Sequence, residues 1–155
     1  MGELSMSEAE RQAFLREPHV GTLAVERADG PPLAVPIWYD YEPGGDLWVI
    51  TDGGSLKARL IEAAGRFTMS VQSEAPPLYA YVSVEGPATI RPAPDPDADL
   101  RPMARRYFGE DQGDWYTDNA EHGPNPVRIS MTPERWFSVD YRKMSLPDDA
   151  PPVEP

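Results

Sequence analysis

Between Val20 and Thr51 three apolar, β-branched stretches follow one another with only turn residues between them, and this constrains the fold more than any other feature. Val20 to Arg27 and Leu33 to Asp40 are joined through Asp29-Gly30, a dipeptide suited to a tight hairpin. Pro43-Gly44-Gly45-Asp46 then turns the chain into Leu47 to Thr51. Strand, turn, strand, turn, strand predicts an antiparallel meander. Parallel neighbours need a crossover of a dozen residues or more, usually a helix, so a Rossmann arrangement does not fit.

The flanking segments fit short helices set between further strands. Ser7 with Glu10 forms a capping-box pattern ahead of a helix to Arg16, stopped by Pro18. Asp52-Gly53-Gly54-Ser55 opens a second helix, Leu56 to Ala64, ended by Gly65, with Leu56, Leu60 and Ala63 or Ala64 expected on its buried face. Arg66 to Ser73 alternates Phe67, Met69 and Val71 with polar residues, the period of a half-buried strand. Tyr79 to Glu85 and Pro87 to Arg91 read as strands flanking a bend or bulge at Gly86. Asp95 to Arg106 reads as helix, with Asp99 as its N-cap and Pro102 in the first turn, ended by Gly109. Residues 110 to 126 read as loop with at most one helical turn. Val127 to Thr132 and Trp136 to Tyr141 are the closing strands. Nineteen prolines, set mainly at segment ends, suit many short elements with sharp joints. The expectation is a mainly β, antiparallel barrel with short helices, one domain over 7–143, and a disordered tail over 144–155.

Composition then removes several functions. A net charge of −12 argues against nucleic acid as a partner, because a phosphate backbone would be repelled at long range. The absence of cysteine removes disulfides, thiolate metal sites and cysteine nucleophiles. No apolar run suits a membrane span and no secretory leader is evident, so a cytoplasmic protein with no membrane partner is expected. His19 and His122 stand alone, as surface loop histidines do, and no GxSxG elbow is present. The carboxylates of Asp95, Asp97 and Asp99 lie in a Pro-rich polar stretch that suits caps, and no metal site or catalytic side chain is singled out.

One cluster runs against the acidic background. Thr51-Asp52-Gly53-Gly54-Ser55-Leu56-Lys57-Ala58-Arg59 joins a strand end to a helix start and places two cations in that helix's first turns. Helix N-termini carry unpaired N–H groups and a positive dipole, so they attract anions and disfavour cations. A bound anion resolves that conflict; an exposed Lys/Arg pair on a solvated face is the alternative.

Pro18 to Val25, Asp29 to Tyr39, Asp46 to Thr51, Lys57-Ala-Arg-Leu60 and Tyr79 to Gly86, taken in order, resemble the pyridoxamine 5′-phosphate oxidase-like superfamily, which includes flavin- and deazaflavin (F420)-dependent oxidoreductases. The resemblance spans about Phe14 to Asp140. It implies a split β-barrel homodimer with FMN, or alternatively F420, buried between two subunits. Lys57, with Thr51, Ser55 and Arg59, would hold the cofactor phosphate. Val35, Pro36, Ile37 and Trp38 would line the ring, Gln72 would reach it from the partner subunit, and Trp136 would be a further ring neighbour. Trp136 to Lys143 lacks the Arg-Leu-x-Pro type segment of strict members, so a small substrate other than pyridoxamine phosphate is implied. Arg101, Arg105 and Arg106 would either meet a polyanionic F420 tail or form a solvated face. A flavin carrier or sensor without turnover is the alternative function, and a haem-binding relative is a third reading.

Overall fold

The computed structural model describes residues 2–75 and 77–152. Helix α1 (Glu8–Arg16) opens on the expected capping box: Ser7 Oγ accepts from Glu10 N–H, and the Glu10 carboxylate accepts from Ser7 N–H at 2.7 Å. It is followed by β1 (Gly21–Val25), β2 (Leu33–Ile37), β3 (Asp40–Tyr41), β4 (Leu47–Asp52), α2 (Leu56–Ala64), β5 (Arg66–Gln72) and β6 (Ala80–Pro92). Then come α3 (Arg101–Phe108), α4 (Glu110–Asn119), β7 (Pro126–Met131) and β8 (Arg135–Asp140). All strand pairs are antiparallel, in the order β2-β1-β5-β6-β7-β4-β3, with β8 also on β6.

The expected meander holds at both of its turns, since β3 and β4 also pair antiparallel across the Pro43-Gly44-Gly45-Asp46 turn, but its middle strand does not run through. β1 and β2 pair with Leu23 opposite Val35, but β4 pairs with β3 and β7, not with β2. The chain breaks after Ile37 because Tyr39 turns into the interior, where it is fully buried and its hydroxyl donates to the Leu15 carbonyl at 2.8 Å. It restarts at Asp40 in the other half of the barrel.

Strand β6 is the second link between the halves. Ala80 to Glu85 lie between β5 and β8, whereas Ala88 to Pro92 pair with β7. The bend expected at Gly86 is where the partner changes. Thr132 N–H donates to the Pro87 carbonyl and Glu134 N–H to that of Glu85, so the β7–β8 turn crosses directly over Gly86. A Cβ there would sit 1.9 Å from the Thr132 carbonyl oxygen, so only glycine fits. The result is a split barrel, one of the forms in which antiparallel sheets limit open edges. Its core includes Leu23, Val49, Ile61, Met69, Val82 and Ile129.

Helix α2 buries Ala58 and Ile61, with Leu60 and Ala64 packed against the same core. Leu56, expected inward, is 45% exposed. It lies about 200° round the helix from Ala58, so the rotation that buries Ala58 turns Leu56 out.

Two expectations after β6 are corrected. The cap is Asp95, whose carboxylate accepts from Asp97 and Ala98 N–H, and a π-helical turn (Pro96–Leu100) leads into α3. Asp99 is instead a buried carboxylate. The segment expected as loop contains helix α4, which local propensity does not favour but tertiary contact does. A Cβ on Gly113 would lie 2.6 Å from the Arg105 backbone, so glycine lets α4 cross close over α3. Asp114 then accepts from both Arg101 and Arg105. After β8 there is one 3-10 turn (Tyr141–Lys143), and 144–152 hold no helix or strand; 153–155 of the expected tail lie outside the described residues. No helix among the described residues is long and apolar enough to cross a membrane.

Candidate functional site

The corner singled out in the sequence is built by a tight turn between β4 and α2. The Asp52 carboxylate accepts from Gly54 N–H at 2.7 Å, Ser55 N–H donates to the Asp52 carbonyl, and Ser55 Oγ accepts from Ala58 N–H. The Leu56 and Lys57 N–H groups have no acceptor among the described residues, and the first turn of α2 holds no acidic side chain. Most of the fourteen Lys and Arg side chains pair with a carboxylate, but Lys57 and Arg59 pair with none among the described residues. In a chain with 26 acidic residues this leaves a local pair of uncompensated cations beside unpaired N–H donors.

The α4–β7 loop rests on this corner. Gly53 N–H donates to the Asn125 carbonyl at 2.8 Å, and Gly123, at φ +83°, brings its backbone against the Asp52 carboxylate. His122 is thereby held beside Thr51, and the two share a cavity of about 340 Å³ between β4 and the α3–α4 hairpin. Its apolar walls are Ile37, Trp38, Ile50, Leu100, Met103 and Ala104, with Tyr116 opposite and Glu121 and His122 at the edge. His122, expected to be a surface loop residue, is half-buried at this site.

Several contacts fix the hairpin that roofs the cavity. The Trp38 indole is stacked on Tyr107 (centroids 4.7 Å, 13°) and abutted by Phe108 at 5.2 Å. The Tyr107 hydroxyl donates to the His19 carbonyl at 2.6 Å and accepts from Tyr39 N–H at 3.0 Å. At the other end Asp99 accepts from Arg91 at 2.6 Å, Arg128 at 2.5 Å and Asp95 N–H at 2.7 Å. Burial pushes the Asp99 carboxyl up, but the two arginine hydrogen bonds and the Asp95 N–H prevail and hold it below the ordinary carboxylate range. Arg91 and Arg128 are cross-strand partners on β6 and β7, so Asp99 staples the hairpin to both strands.

The expected site residues fall into separate places. Ile37, Trp38 and Thr51 meet on the cavity wall, and Ser55, Lys57 and Arg59 follow directly on α2. Val35 is half-buried against the core, and Pro36 points out from the exposed face of β2. Gln72 ends β5 opposite Tyr81, exposed and on a strand that does not line the cavity. Trp136 packs on the core beneath the Arg11 guanidinium (4.9 Å) and edge-on to Tyr41, so its contacts within this chain are those of a packing residue. The α3 arginines are paired or buried and not free for a tail, and of the three only Arg105 is on a solvated face. Arg101 bonds to Asp97, Asp114 and Asp118, Arg105 to Asp114, and Arg106 is buried on the carbonyls of Leu15, Arg16 and Glu17.

Tyr116 and His122 were missed because their segment read as loop. The available signal was Glu110-Asp111 directly after Gly109, an acidic first turn that suits a helix start. A larger recess of about 640 Å³, lined by β1, β5, β6 and the β7–β8 turn, holds arginines already paired: Arg66 with Glu26 and Arg135 with Glu85.

Comparison with known proteins agrees with the fold. The family model described as Pyridoxamine 5′-phosphate oxidase matches residues 7–140. An F420H(2)-dependent biliverdin reductase of Mycobacterium tuberculosis is 36% identical over 98 residues, covering 61% of this chain and 68% of that protein. Among solved structures, a conserved hypothetical protein from Mycobacterium tuberculosis superposes with a TM-score of 0.75 at 28% identity, covering 99% of this chain and 96% of the other. One described as an F420 reductase gives 0.63 at 26% identity, covering 81% and 94%.

Proposed function

The chain belongs to the pyridoxamine 5′-phosphate oxidase family, and on that premise we propose that it binds a flavin-type cofactor, FMN or the deazaflavin F420, and passes hydride between it and a small organic substrate. The observation that carries this reading is the adjacency of two unlike surfaces. Thr51 shares a cavity wall with Ile37 and Trp38 and leads within a few residues to uncompensated Lys57 and Arg59 and the unpaired α2 N–H groups, as suits a ligand with a phosphate at one end and a flat ring at the other. The names of two relatives favour F420 over FMN.

In this reading Lys57, Arg59 and the Ser55 turn hold the phosphate by charge and by backbone N–H groups. Thr51 offers a hydroxyl between phosphate and ring, and Val35 to Trp38 present backbone and apolar groups to the ring. The bound ring supplies the redox chemistry, so no side chain has to act as a nucleophile. The hairpin carrying Tyr107 and Tyr116 limits water at Trp38. A homodimer completes the site, with Gln72 reaching the partner's ring. Supporting this, Pro36, Thr22, Ser70, Ser83 and Phe137 form one uncharged row across five strands of the outer face, and Phe137 is 50% exposed. An uncharged face of this kind suits an interface between copies.

Anaerobic titration of cofactor-free protein with FMN and with F420, followed by visible absorption, tests the reading. One of the two is expected to bind at one per chain with a shifted spectrum. No binding of either contradicts it.

A further inference from the structure

We propose that one copy of this chain closes the cofactor site of a second with Tyr79, Tyr81 and Tyr141, in a dimer whose two-fold axis runs along β5. The strands β2-β1-β5-β6-β8 form one layer, and their register sorts its outer face into rows. The uncharged row from Pro36 to Phe137 is the middle one. On one side of it Ala34, Ala24, Thr68, Glu85 and Arg135 align, the last two as an ion pair at 3.2 Å. On the other side Gln72, Tyr81 and Val139 align, and Val20, 57% exposed, extends β1 on the same face.

Tyr79 and Tyr141 continue β6 and β8 beyond that last row, joined by the Tyr141 N–H, which donates to the Tyr79 carbonyl at 3.0 Å. The Tyr79 ring lies 4.9 Å from Tyr141 and 6.5 Å from Tyr81, and the residue is 40% exposed. Among the described residues the Tyr79 hydroxyl meets only the phenol of Tyr141, which leaves donor capacity for a partner or a ligand. Exposed tyrosines of this kind are enriched at interfaces, where a large ring is buried while its hydroxyl still finds an acceptor.

Between two facing copies of this layer a two-fold axis can run across the strands or along them. Run across them, it lays Tyr81 on the partner's Glu85 and Val139 on the partner's Arg135, taking an ion pair out of water beneath uncharged groups. Run along β5, the middle strand, it sets each row on its own counterpart. The two uncharged rows then form the buried core, and Glu85 and Arg135 stay at the rim, where interfaces keep their charges. This arrangement sets β6 on the partner's β1 and β8 on its β2. Tyr81 therefore meets the partner's Val20, and Tyr79 and Tyr141 lie over the end of the partner's β2, where Ile37 and Trp38 form the cavity wall. Trp38 is half-buried within one chain; the second copy covers it with aromatic rings and adds hydroxyl donors beside the ring site. That the covered site holds a cofactor rests on the proposed function; the docking does not.

The chain has no cysteine, so single cysteines report the docking without background. Val20→Cys and Tyr81→Cys, coexpressed with different tags, are treated with bismaleimidoethane, a short thiol crosslinker. A covalent heterodimer is expected, and Glu85→Cys with Tyr81→Cys should give less than about a tenth of its yield. Crosslinking at Glu85 in preference to Val20, or sedimentation of the unaltered protein as a monomer, overturns the proposal. Site sharing is tested with Lys57→Ala and Tyr81→Ala, which as homodimers should bind FMN or F420 at least tenfold and at least fivefold more weakly. Their heterodimer, purified through both tags, should regain one site of unaltered affinity per two chains, because Lys57 and Tyr81 of that site come from different copies. A heterodimer with no site of full affinity overturns the proposal as well. If Tyr81→Ala is not dimeric, Tyr79→Ala takes its place with the same expectation. The Val20–Tyr81 crosslink in a protein that takes neither FMN nor F420 upholds the docking and removes the cofactor reading instead.

Discussion

Asp99→Ala should detach one end of the α3–α4 hairpin, at a cost that can be worked from its contacts. The side chain is 3% exposed and accepts three charge-assisted hydrogen bonds, from Arg91, Arg128 and Asp95 N–H. Hydrogen bonds to charged groups contribute about 1.5–3 kcal/mol each, and removing one partner of a buried pair costs about 3–5 kcal/mol. The arginines soften this loss. Arg91 is 53% exposed and regains water readily, whereas Arg128 is 21% exposed and lies over the Trp48 ring at 4.3 Å. The lower end of the range therefore applies, and Asp99→Ala should destabilise the protein by about 3 kcal/mol. In urea this reads as a lower midpoint with an unchanged slope. Asp99→Asn should cost nearly as much, because its amide presents a donor to one of two donors. Asp97→Ala is the control: its side chain is 81% exposed and shares Arg101 with two other aspartates, so its removal should cost less than about 0.5 kcal/mol. A loss below about 1 kcal/mol for Asp99→Ala would refute the staple, since it falls short of even one such bond.

Other perturbations follow from the same contacts. Gly86→Ala places a Cβ 1.9 Å from the Thr132 carbonyl oxygen and should cost more than about 4 kcal/mol or prevent folding, read by urea melts or soluble yield. Gly113→Ala drives the two hairpin helices apart and should lower thermal stability, which a melt of the variant beside the unaltered protein would show. Tyr107→Phe leaves the Tyr39 N–H without its acceptor and should cost about 1–3 kcal/mol in a urea melt while keeping the Trp38 stack. In acid, Asp99 adds stability that is complete above the ordinary carboxylate range and is lost as pH falls through its depressed value, so Asp99→Asn should flatten the acid limb of stability against pH. Asp40 acts in the opposite sense: burial raises its carboxyl, its ionisation costs stability as pH rises, and Asp40→Asn should steepen the same limb.

Elements with local signals were legible in the sequence. The Ser7–Glu10 box, the Ser55 cap, the Gly65 stop and the alternation of Phe67, Met69 and Val71 each occupy the expected position. What local patterns do not encode is partner choice. Leu47 to Asp52 has a strand's composition whether it pairs with β2 or, as here, with β7, and the break at buried Tyr39 lies between the two halves. Helix α4 depends on Gly113 fitting against Arg105 and on Asp114 meeting two arginines, contacts set by residues eight to thirteen positions earlier. Because that helix and its following loop supply Tyr116, Glu121 and His122, one side of the cavity was hidden with it. The anion corner was legible for the opposite reason, since all its parts lie within nine consecutive residues.

The central claim is that this corner holds a cofactor phosphate. Its most direct test is the equilibrium dissociation constant of the preferred cofactor, FMN or F420, for the unaltered protein and for Lys57→Ala. The account predicts at least tenfold weaker binding in the variant, about 1.4 kcal/mol or more, with circular dichroism unchanged. Equal affinity in the two proteins would contradict it.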